Sequence, residues 1–310
     1  MQTSTTRRRA WRPDQQWEAY LFLIPSLFGL LVFTAFPVFF SLYISFFEWD
    51  LIAPPVWIGA EHYRTLLTHD AIFRQVAWNT LYFLVGIVPV QTLLSLLLAL
   101  LLNRKLPGMA FFRVLYYLPV ITTIVAAALI FQWMFDRNYG VISALVRNLN
   151  EWTGLPLQPP DWLNSSAWAK PAVILLTLWK NVGFTTIIFL AALQGVPREL
   201  YEAAAMDGAG RWRSFFAVTL PLISATTFFV LIILIIGAFQ LFGEAYIMTS
   251  GGPGYATMTI VQYIYQSAFT FFRMGKGAAI SWVLFVAIFL LTLLQLRLQR
   301  RWVYYENGER

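Results

Sequence analysis

Long apolar runs separated by shorter polar segments dominate this sequence. A helix needs about 20 mostly apolar residues to cross the hydrocarbon core of a bilayer, which is about 30 Å thick. Six runs reach that length, so the pattern predicts an all-α membrane protein with six transmembrane helices. The runs extend from Tyr20 to Phe47, Ala77 to Leu102, Val114 to Phe135, Pro171 to Leu193, Val218 to Phe242 and Ala278 to Leu296.

The composition agrees with a membrane protein and excludes several soluble classes. Apolar residues make up 59% of the 310 positions and charged residues 12%, with a mean hydropathy of +0.63. A soluble globule of this size could not bury so much apolar surface. A cytosolic enzyme, a disordered regulator and a nucleic-acid binder are therefore excluded, although the formal charge is +7. The chain has no cysteine, so it has neither a disulfide nor a thiol nucleophile.

The distribution of Lys and Arg predicts the orientation of the spans. If the N-terminus is cytoplasmic, the inside segments are 1–19, 103–113, 194–217 and 297–310. These hold 14 basic residues, whereas the longer outside segments 48–76, 136–170 and 243–277 hold 7. Because cytoplasmic loops carry the excess of Lys and Arg, the bias predicts an N-in, C-in topology with basic tails at 1–19 and 298–310.

Ionisable residues are almost absent from the predicted spans, and this narrows the function. Lys180 is the single basic residue in a span, and no acidic residue lies in one. A secondary carrier for a polar solute, the main alternative function, usually holds a membrane-embedded carboxylate for its coupling ion. An intramembrane enzyme would need a catalytic set, which the spans lack. The histidines, His62 and His69, are interpreted as ordinary loop residues rather than metal ligands.

The polar segment between the fourth and fifth spans predicts a cytoplasmic helix-turn-helix. Pro197 suits the first turn, and Glu199 and Glu202 favour the positive end of a helix. The helix is expected to end at Asp207-Gly208, where glycine can adopt the left-handed conformation, and to restart around Arg211. Composition alone favours an interfacial helix whose aromatic residues dip into lipid headgroups.

The order of residues in this segment resembles the EAA signature of binding-protein-dependent ABC importer permeases. The matching elements are Glu202-Ala203-Ala204, Asp207-Gly208-Ala209 and Thr219-Leu220-Pro221. Further similarity lies at Trp179 to Phe184, Ala192 to Pro197, Thr249 to Gly254 and Gly277 to Ser281. Together these resemble the carbohydrate-uptake subfamily, of the maltose and glycerol-3-phosphate permease type. One departure is Ala225, where many members carry a second proline.

The resemblance implies a fold, a set of partners and a coupling site. It implies the type I ABC importer permease fold, with a transmembrane domain over 72–297 that contains five core helices and a coupling loop at 197–217. The coupling residues are then Glu202, Ala203, Ala204, Asp207 and Gly208, which dock on a separate ATPase. The implied partners are a homologous second permease, an ATPase dimer, an extracytoplasmic solute-binding protein and the lipid bilayer.

The resemblance also implies that this subunit is not an enzyme and holds no cofactor. ATP and Mg²⁺ belong to the ATPase subunits, and the sequence contains no Gly-x-x-x-x-Gly-Lys-Ser/Thr. The expected location is the cytoplasmic (inner) membrane.

Two groups of residues are expected to line the pathway of a sugar. Planar amides and carboxylates bind sugar hydroxyls, and aromatic faces pack against sugar C–H groups. The resemblance implies that part of the fourth span lines the sugar site, and this part contains Lys180, Asn181 and Phe184. The end of the fifth span supplies a second candidate group, Phe239, Gln240 and Glu244. An equally weighted alternative is that Lys180 and Asn181 only hold helices together.

Overall fold

The computed structural model is built almost entirely of helices and describes residues 16–103, 107–154 and 158–304. A short antiparallel hairpin, β1 (Phe47–Glu48) with β2 (Val56–Trp57), follows the first span. Parts of the two predicted tails lie outside the described residues. The helices are α1 (Gln16–Leu30), α2 (Phe36–Ile44), α3 (Glu61–Thr68), α4 (Ala71–Leu102), α5 (Met109–Ile121), α6 (Ile124–Met134), α7 (Val141–Thr153), α8 (Ala169–Gly195), α9 (Arg198–Met206), α10 (Arg211–Ser214), α11 (Leu220–Leu222), α12 (Ser224–Phe239), α13 (Gly243–Thr249), α14 (Ile260–Tyr265) and α15 (Met274–Gln299).

Four of the six predicted spans are continuous helices in the described part of the chain, and two are broken. The continuous spans cover Tyr20–Ile44, Ala71–Leu102, Ala169–Gly195 and Met274–Gln299. The first contains a π-helical segment, Leu31–Ala35, and ends three residues before the predicted Phe47. The second begins six residues before the predicted Ala77, because Asp70 caps it by accepting a hydrogen bond from the Phe73 amide at 2.8 Å.

The third predicted span, Val114 to Phe135, consists of α5 and α6, which meet at an angle of 96°. Pro119 cannot donate a backbone hydrogen bond, so it weakens the last turn of α5. Thr122 and Thr123 then adopt extended conformations, and Thr123 caps α6 by accepting a hydrogen bond from the Ala126 amide. The apolar run predicted the length of this segment but not its break.

The fifth predicted span, Val218 to Phe242, is also bent, by 66° between the segment Arg211–Leu222 and α12. A π-helical turn at Phe215–Thr219 and the proline at position 221 precede the bend. Ala225, which replaces a second proline of the family pattern, lies in the first turn of α12. The bend therefore forms here without that proline.

The packing core lies along α4 and α8, which face each other over much of their length. Their contact includes Val88 and Leu96 of α4 with Phe189 and Leu193 of α8, all buried. Next to this core α5 approaches α8 closely at Gly183, where a Cβ atom would lie 2.2 Å from the carbonyl oxygen of Tyr116. Only glycine permits that approach, since any side chain would push the two helices apart.

Contacts at the helix ends agree with the predicted alternation of the spans across the membrane. On the side predicted to be outside, Lys276 of α15 donates to Asp70, at the start of α4, at 2.7 Å. Tyr263 of α14 donates to the same carboxylate oxygen at 2.7 Å. On the opposite side, the amide of Tyr304, beyond α15, donates to Ser224 at the start of α12 at 2.9 Å.

The Asp70 cluster is partly shielded from solvent, and this changes its ionisation. The side chain of Asp70 is 8% exposed and that of Lys276 is 19% exposed. Burial raises the pKa of the Asp70 carboxyl, but the hydrogen bonds from Lys276, the Phe73 amide and Tyr263 outweigh it, so the net pKa is lowered. Burial and the neighbouring carboxylate raise the pKa of Tyr263. The cluster is therefore an ion pair joining three helices at neutral pH.

Candidate functional site: the cytoplasmic loop and the middle of the bundle

The loop between α8 and α12 folds as the sequence predicts. The short helix α9 spans Arg198–Met206, with Pro197 one residue before it and Glu199 in its first turn. Glu202 lies in the second turn and is exposed. A second short helix, α10, begins at Arg211 as predicted. The predicted helix-turn-helix is therefore confirmed.

Gly208 ends α9 in a left-handed conformation, with φ of +73°. The amide of Gly208 donates to the carbonyl of Ala205 at 3.0 Å, and the amide of Ala209 donates to that of Ala204 at 2.9 Å. These are the two hydrogen bonds of a Schellman motif, in which a left-handed residue satisfies the last carbonyls of a helix. Nothing lies within 4 Å of the position that a Gly208 Cβ would occupy, so the backbone angle alone selects glycine here.

The surface of α9 is small and open. Glu202, Ala203 and Asp207 are exposed, whereas Ala204 is half-buried, so the two alanines of the signature face different directions. At the end of the helix the side chain of Met206 is 89% exposed. The exposed surface of α9 therefore combines carboxylates, small residues and a thioether.

Lys180 lies in the middle of α8 and faces the broken third span. Its ammonium donates to the carbonyl of Val120 at 3.4 Å, near the end of α5. The last carbonyls of a helix have no partner within the helix and carry its negative dipole end, so a lysine there is favourable. This contact supports the packing interpretation of Lys180 and simultaneously keeps its charge inside the bundle.

Glu244 lies in the first turn of α13, which shares an apolar cluster with α8 through Ala245 and Leu178. Burial raises the pKa of the Glu244 carboxyl, and the positive charge of Lys180 offsets this only in part. The structure therefore brings together one residue from each of the two predicted pathway groups. Asn181 is half-buried, while Phe184 and Gln240 are exposed on this subunit. Phe239 instead packs against the apolar cluster of α4, α14 and α15, which includes Val76, Tyr263 and Ile280, so it is separated from the others.

Two cavities open in the outer loops, and neither is lined by a predicted pathway residue. One, of about 470 Å³, is lined mostly by polar residues of the segments 135–138 and 161–164. The other, of about 570 Å³, lies beside the hairpin and the start of α15. Sequence patterns did not single out these cavities because loop residues from distant segments form them.

Sequence reasoning also missed two contacts that connect the predicted sites to the fold. Tyr201 of α9 forms a hydrogen bond with Thr219 at 2.9 Å between the two hydroxyls. Gly183 allows α5 and α8 to touch, next to Lys180. A lone glycine inside an apolar helix was an available signal for the second contact, whereas nothing in the sequence paired Tyr201 with Thr219.

Comparison with proteins of known sequence identifies several similar permeases. The chain is 36% identical over 293 residues to a probable ABC transporter permease protein, YesP, of Bacillus subtilis (strain 168), covering 94% of this chain and 93% of that protein. It is 37% identical over 284 residues to the sulfoquinovosyl glycerol transport system permease protein SmoG of Agrobacterium fabrum (strain C58), covering 91% and 90%. The arabinooligosaccharides transport system permease protein AraP of Bacillus subtilis (strain 168) is 32% identical over 301 residues, covering 95% and 93%.

Comparison with solved structures confirms the predicted fold. A chain of the bacterial alginate ABC transporter, crystallised in complex with an alginate pentasaccharide-bound periplasmic protein, superposes with a TM-score of 0.79 at 26% identity. The match covers 93% of this chain and 96% of that chain. Residues 91–304, which include α8, the whole cytoplasmic loop and α15, match the family described as binding-protein-dependent transport system inner membrane component. The chain therefore belongs to this family of multi-pass inner-membrane permease components, as its EAA-like loop predicted.

Proposed function

We propose that this chain is one of two permease subunits in an ATP-driven importer of an oligosaccharide or a related polar solute. The observation that carries the proposal is α9, an exposed cytoplasmic helix that a left-handed glycine ends abruptly. The names of three relatives add support, because they refer to sulfoquinovosyl glycerol, arabinooligosaccharides and lactose.

In this proposal α9 is the helix that an ATPase subunit binds and displaces when it hydrolyses ATP. Glu202 projects into solvent from the second turn and is available for a basic side chain of an ATPase subunit. Ala203 is exposed and small, so it permits close approach. Asp207 and Gly208 turn the chain away from the docking surface. ATP and Mg²⁺ are held by the ATPase pair and not by this chain.

The solute pathway is assigned to the region around Lys180 and Glu244. These two side chains offer hydrogen-bonding groups for sugar hydroxyls. Asn181, half-buried one position from Lys180, offers an amide, and Phe184 and Gln240 are exposed for contact with solute or a second subunit. A second homologous permease supplies the facing wall, which accounts for exposed pathway residues on one subunit.

The assembly proposed here also includes an extracytoplasmic solute-binding protein, which delivers the solute to the outer face. The structural neighbour was crystallised with such a periplasmic protein, and that pairing is the precedent for this partner. The outer loops around the hairpin and the start of α15 are the surface available to it.

The test is reconstitution of the chain alone and together with a homologous permease, an ATPase and a solute-binding protein. The complete complex is expected to hydrolyse ATP faster when its binding protein and sugar are present, and the chain alone to show neither hydrolysis nor uptake. Asn181→Ala and Phe184→Ala are expected to reduce uptake about two- to tenfold, the effect of one lost contact. Ile187→Ala, at an exposed position on the same helix, serves as the control. Uptake by the chain alone, driven by a proton gradient, would instead favour a secondary carrier.

A further inference from the structure

Tyr201 connects the cytoplasmic helix α9 to the bent fifth span. Its hydroxyl lies 2.9 Å from the hydroxyl of Thr219, which is 4% exposed. A hydrogen bond shielded from water is directional and is costly to leave unpaired. Any movement of α9 therefore acts directly on Thr219.

Thr219 lies four residues before Ile223, the residue at which the fifth span changes direction. It is the last residue of the π-helical turn Phe215–Thr219, and its carbonyl accepts from the amide of Ile223 at 3.0 Å. The helix continues to Leu222, and the span then bends by 66° before Ser224, so Thr219 is hydrogen-bonded to the residue at the bend. Single π-helical turns and bends of this size mark places where a helix has exchanged part of its regular hydrogen bonding for a change of direction.

The far side of the bend is held by the segment Trp302–Tyr304, which follows α15. The hydroxyl of Ser224 donates to the carbonyl of Pro221 at 2.6 Å and accepts from the amide of Tyr304 at 2.9 Å. The rings of Phe228 and Trp302 meet edge to face, with centroids 6.0 Å apart. The segment Trp302–Tyr304 therefore anchors the start of α12 on one side while Tyr201 holds Thr219 on the other.

We propose that Tyr201 is a positioning residue that transmits displacement of α9 to the bend before α12 through its hydrogen bond with Thr219. This inference rests on the proposed function, because it takes α9 to be the element that an ATPase moves. In this arrangement α9 displaces Thr219 on one side of the bend, while Trp302–Tyr304 holds Ser224 on the other side. Movement then changes the direction of α12, whose far end leads to Gln240 and Glu244.

This chain contains no cysteine, so a pair of spin labels can be placed at chosen positions of this subunit before the complex is assembled. Labels at Phe229→Cys on α12 and Phe289→Cys on α15 are at exposed positions in different helices. The complete complex is reconstituted with its ATPase, and the distance between labels is measured by pulsed electron paramagnetic resonance with and without ATP and Mg²⁺. In the wild-type background, nucleotide is expected to shift the distance distribution.

Tyr201→Phe and Thr219→Val each remove one hydroxyl and keep most of the side-chain volume. In each variant the ratio of the nucleotide-shifted population to the unshifted population is expected to fall about two- to tenfold, while the ATPase still co-purifies. The double variant is expected to be no worse than either single one, since both remove the same bond. Thr219→Ser, which retains a hydroxyl, is expected to restore the shift. The matched control is Thr227→Val, because the Thr227 hydroxyl donates to the Ile223 carbonyl, which also accepts from the Thr227 amide and so keeps a partner in the variant.

A wild-type shift in both single variants, or additive losses in the double variant, would overturn the inference and leave the proposed function intact. Failure of the wild-type chain to bind an ATPase would overturn the proposed function itself. The two failures are therefore separated by the same set of samples.

Discussion

Replacement of Gly208 is the most direct test of the cytoplasmic loop. Gly208 has φ of +73°, and its missing Cβ would face open space, so a substitution is resisted by the backbone and not by crowding. A left-handed conformation costs an L-residue about 1–2 kcal/mol, with β-branched residues at the upper end. That range corresponds to about a 5- to 30-fold fall in the equilibrium ratio of native to altered turns.

The expected result is that Gly208→Val weakens ATPase binding by about that factor, with hydrolysis and uptake falling together. Two matched variants distinguish the effect of the backbone angle from the effect of adding a side chain. Gly208→Asn adds a side chain of similar size but tolerates positive φ, so it is expected to stay within about threefold of wild type. Gly210→Val adds the same side chain two residues away, at φ of −70° and also in open space, and is expected to be neutral.

The assay is co-purification of the ATPase at a series of ATPase concentrations, followed by binding-protein-stimulated hydrolysis. Membrane insertion is checked in parallel, because the loop lies outside the spans and insertion is expected to survive. If Gly208→Val binds like wild type, or if Gly208→Asn and Gly210→Val fail equally, the left-handed turn does not position the docking helix and the reasoning is refuted.

Three further changes test other parts of the molecule. Glu202→Lys is expected to weaken ATPase binding about tenfold or more, because a charge-assisted contact is lost and repulsion is added. Glu199→Lys, at another exposed position of α9, tests whether any charge reversal on this helix has the same effect. Co-purification of the ATPase measures both variants. Gly183→Ala is expected to destabilise the chain by about 1–3 kcal/mol, because the new methyl group would lie 2.2 Å from a carbonyl oxygen. The control is Gly195→Ala, whose methyl group would face open space. The melting temperature in detergent is expected to fall in the first variant and to stay unchanged in the control. Asp70→Asn is expected to lower that melting temperature at pH 7. Because the folded pKa of Asp70 is lowered, its stabilisation is present above about pH 4 and is lost as pH falls through the folded value, so the two melting temperatures converge in acid. A difference that persists unchanged at low pH would contradict that assignment.

The sequence by itself determined the membrane class, the orientation and the position of the cytoplasmic loop. These follow from local chemistry. The length of an apolar run, the number of Lys and Arg residues in a loop and a helix-ending glycine can each be read directly from the sequence. The end of α9 at Gly208 was predictable because the left-handed angle is a property of a single residue.

Only the tertiary structure decided where spans break and which distant residues meet. Pro119 lies near the end of α5, but the 96° break also needs Thr122 and Thr123 to leave the helix, and nothing in the apolar pattern distinguishes them. Tyr201 meets Thr219 across 18 positions, and Lys180 meets Val120 across 60. Such pairings depend on how whole helices pack, which is fixed by the summed burial of many side chains and not by the local sequence.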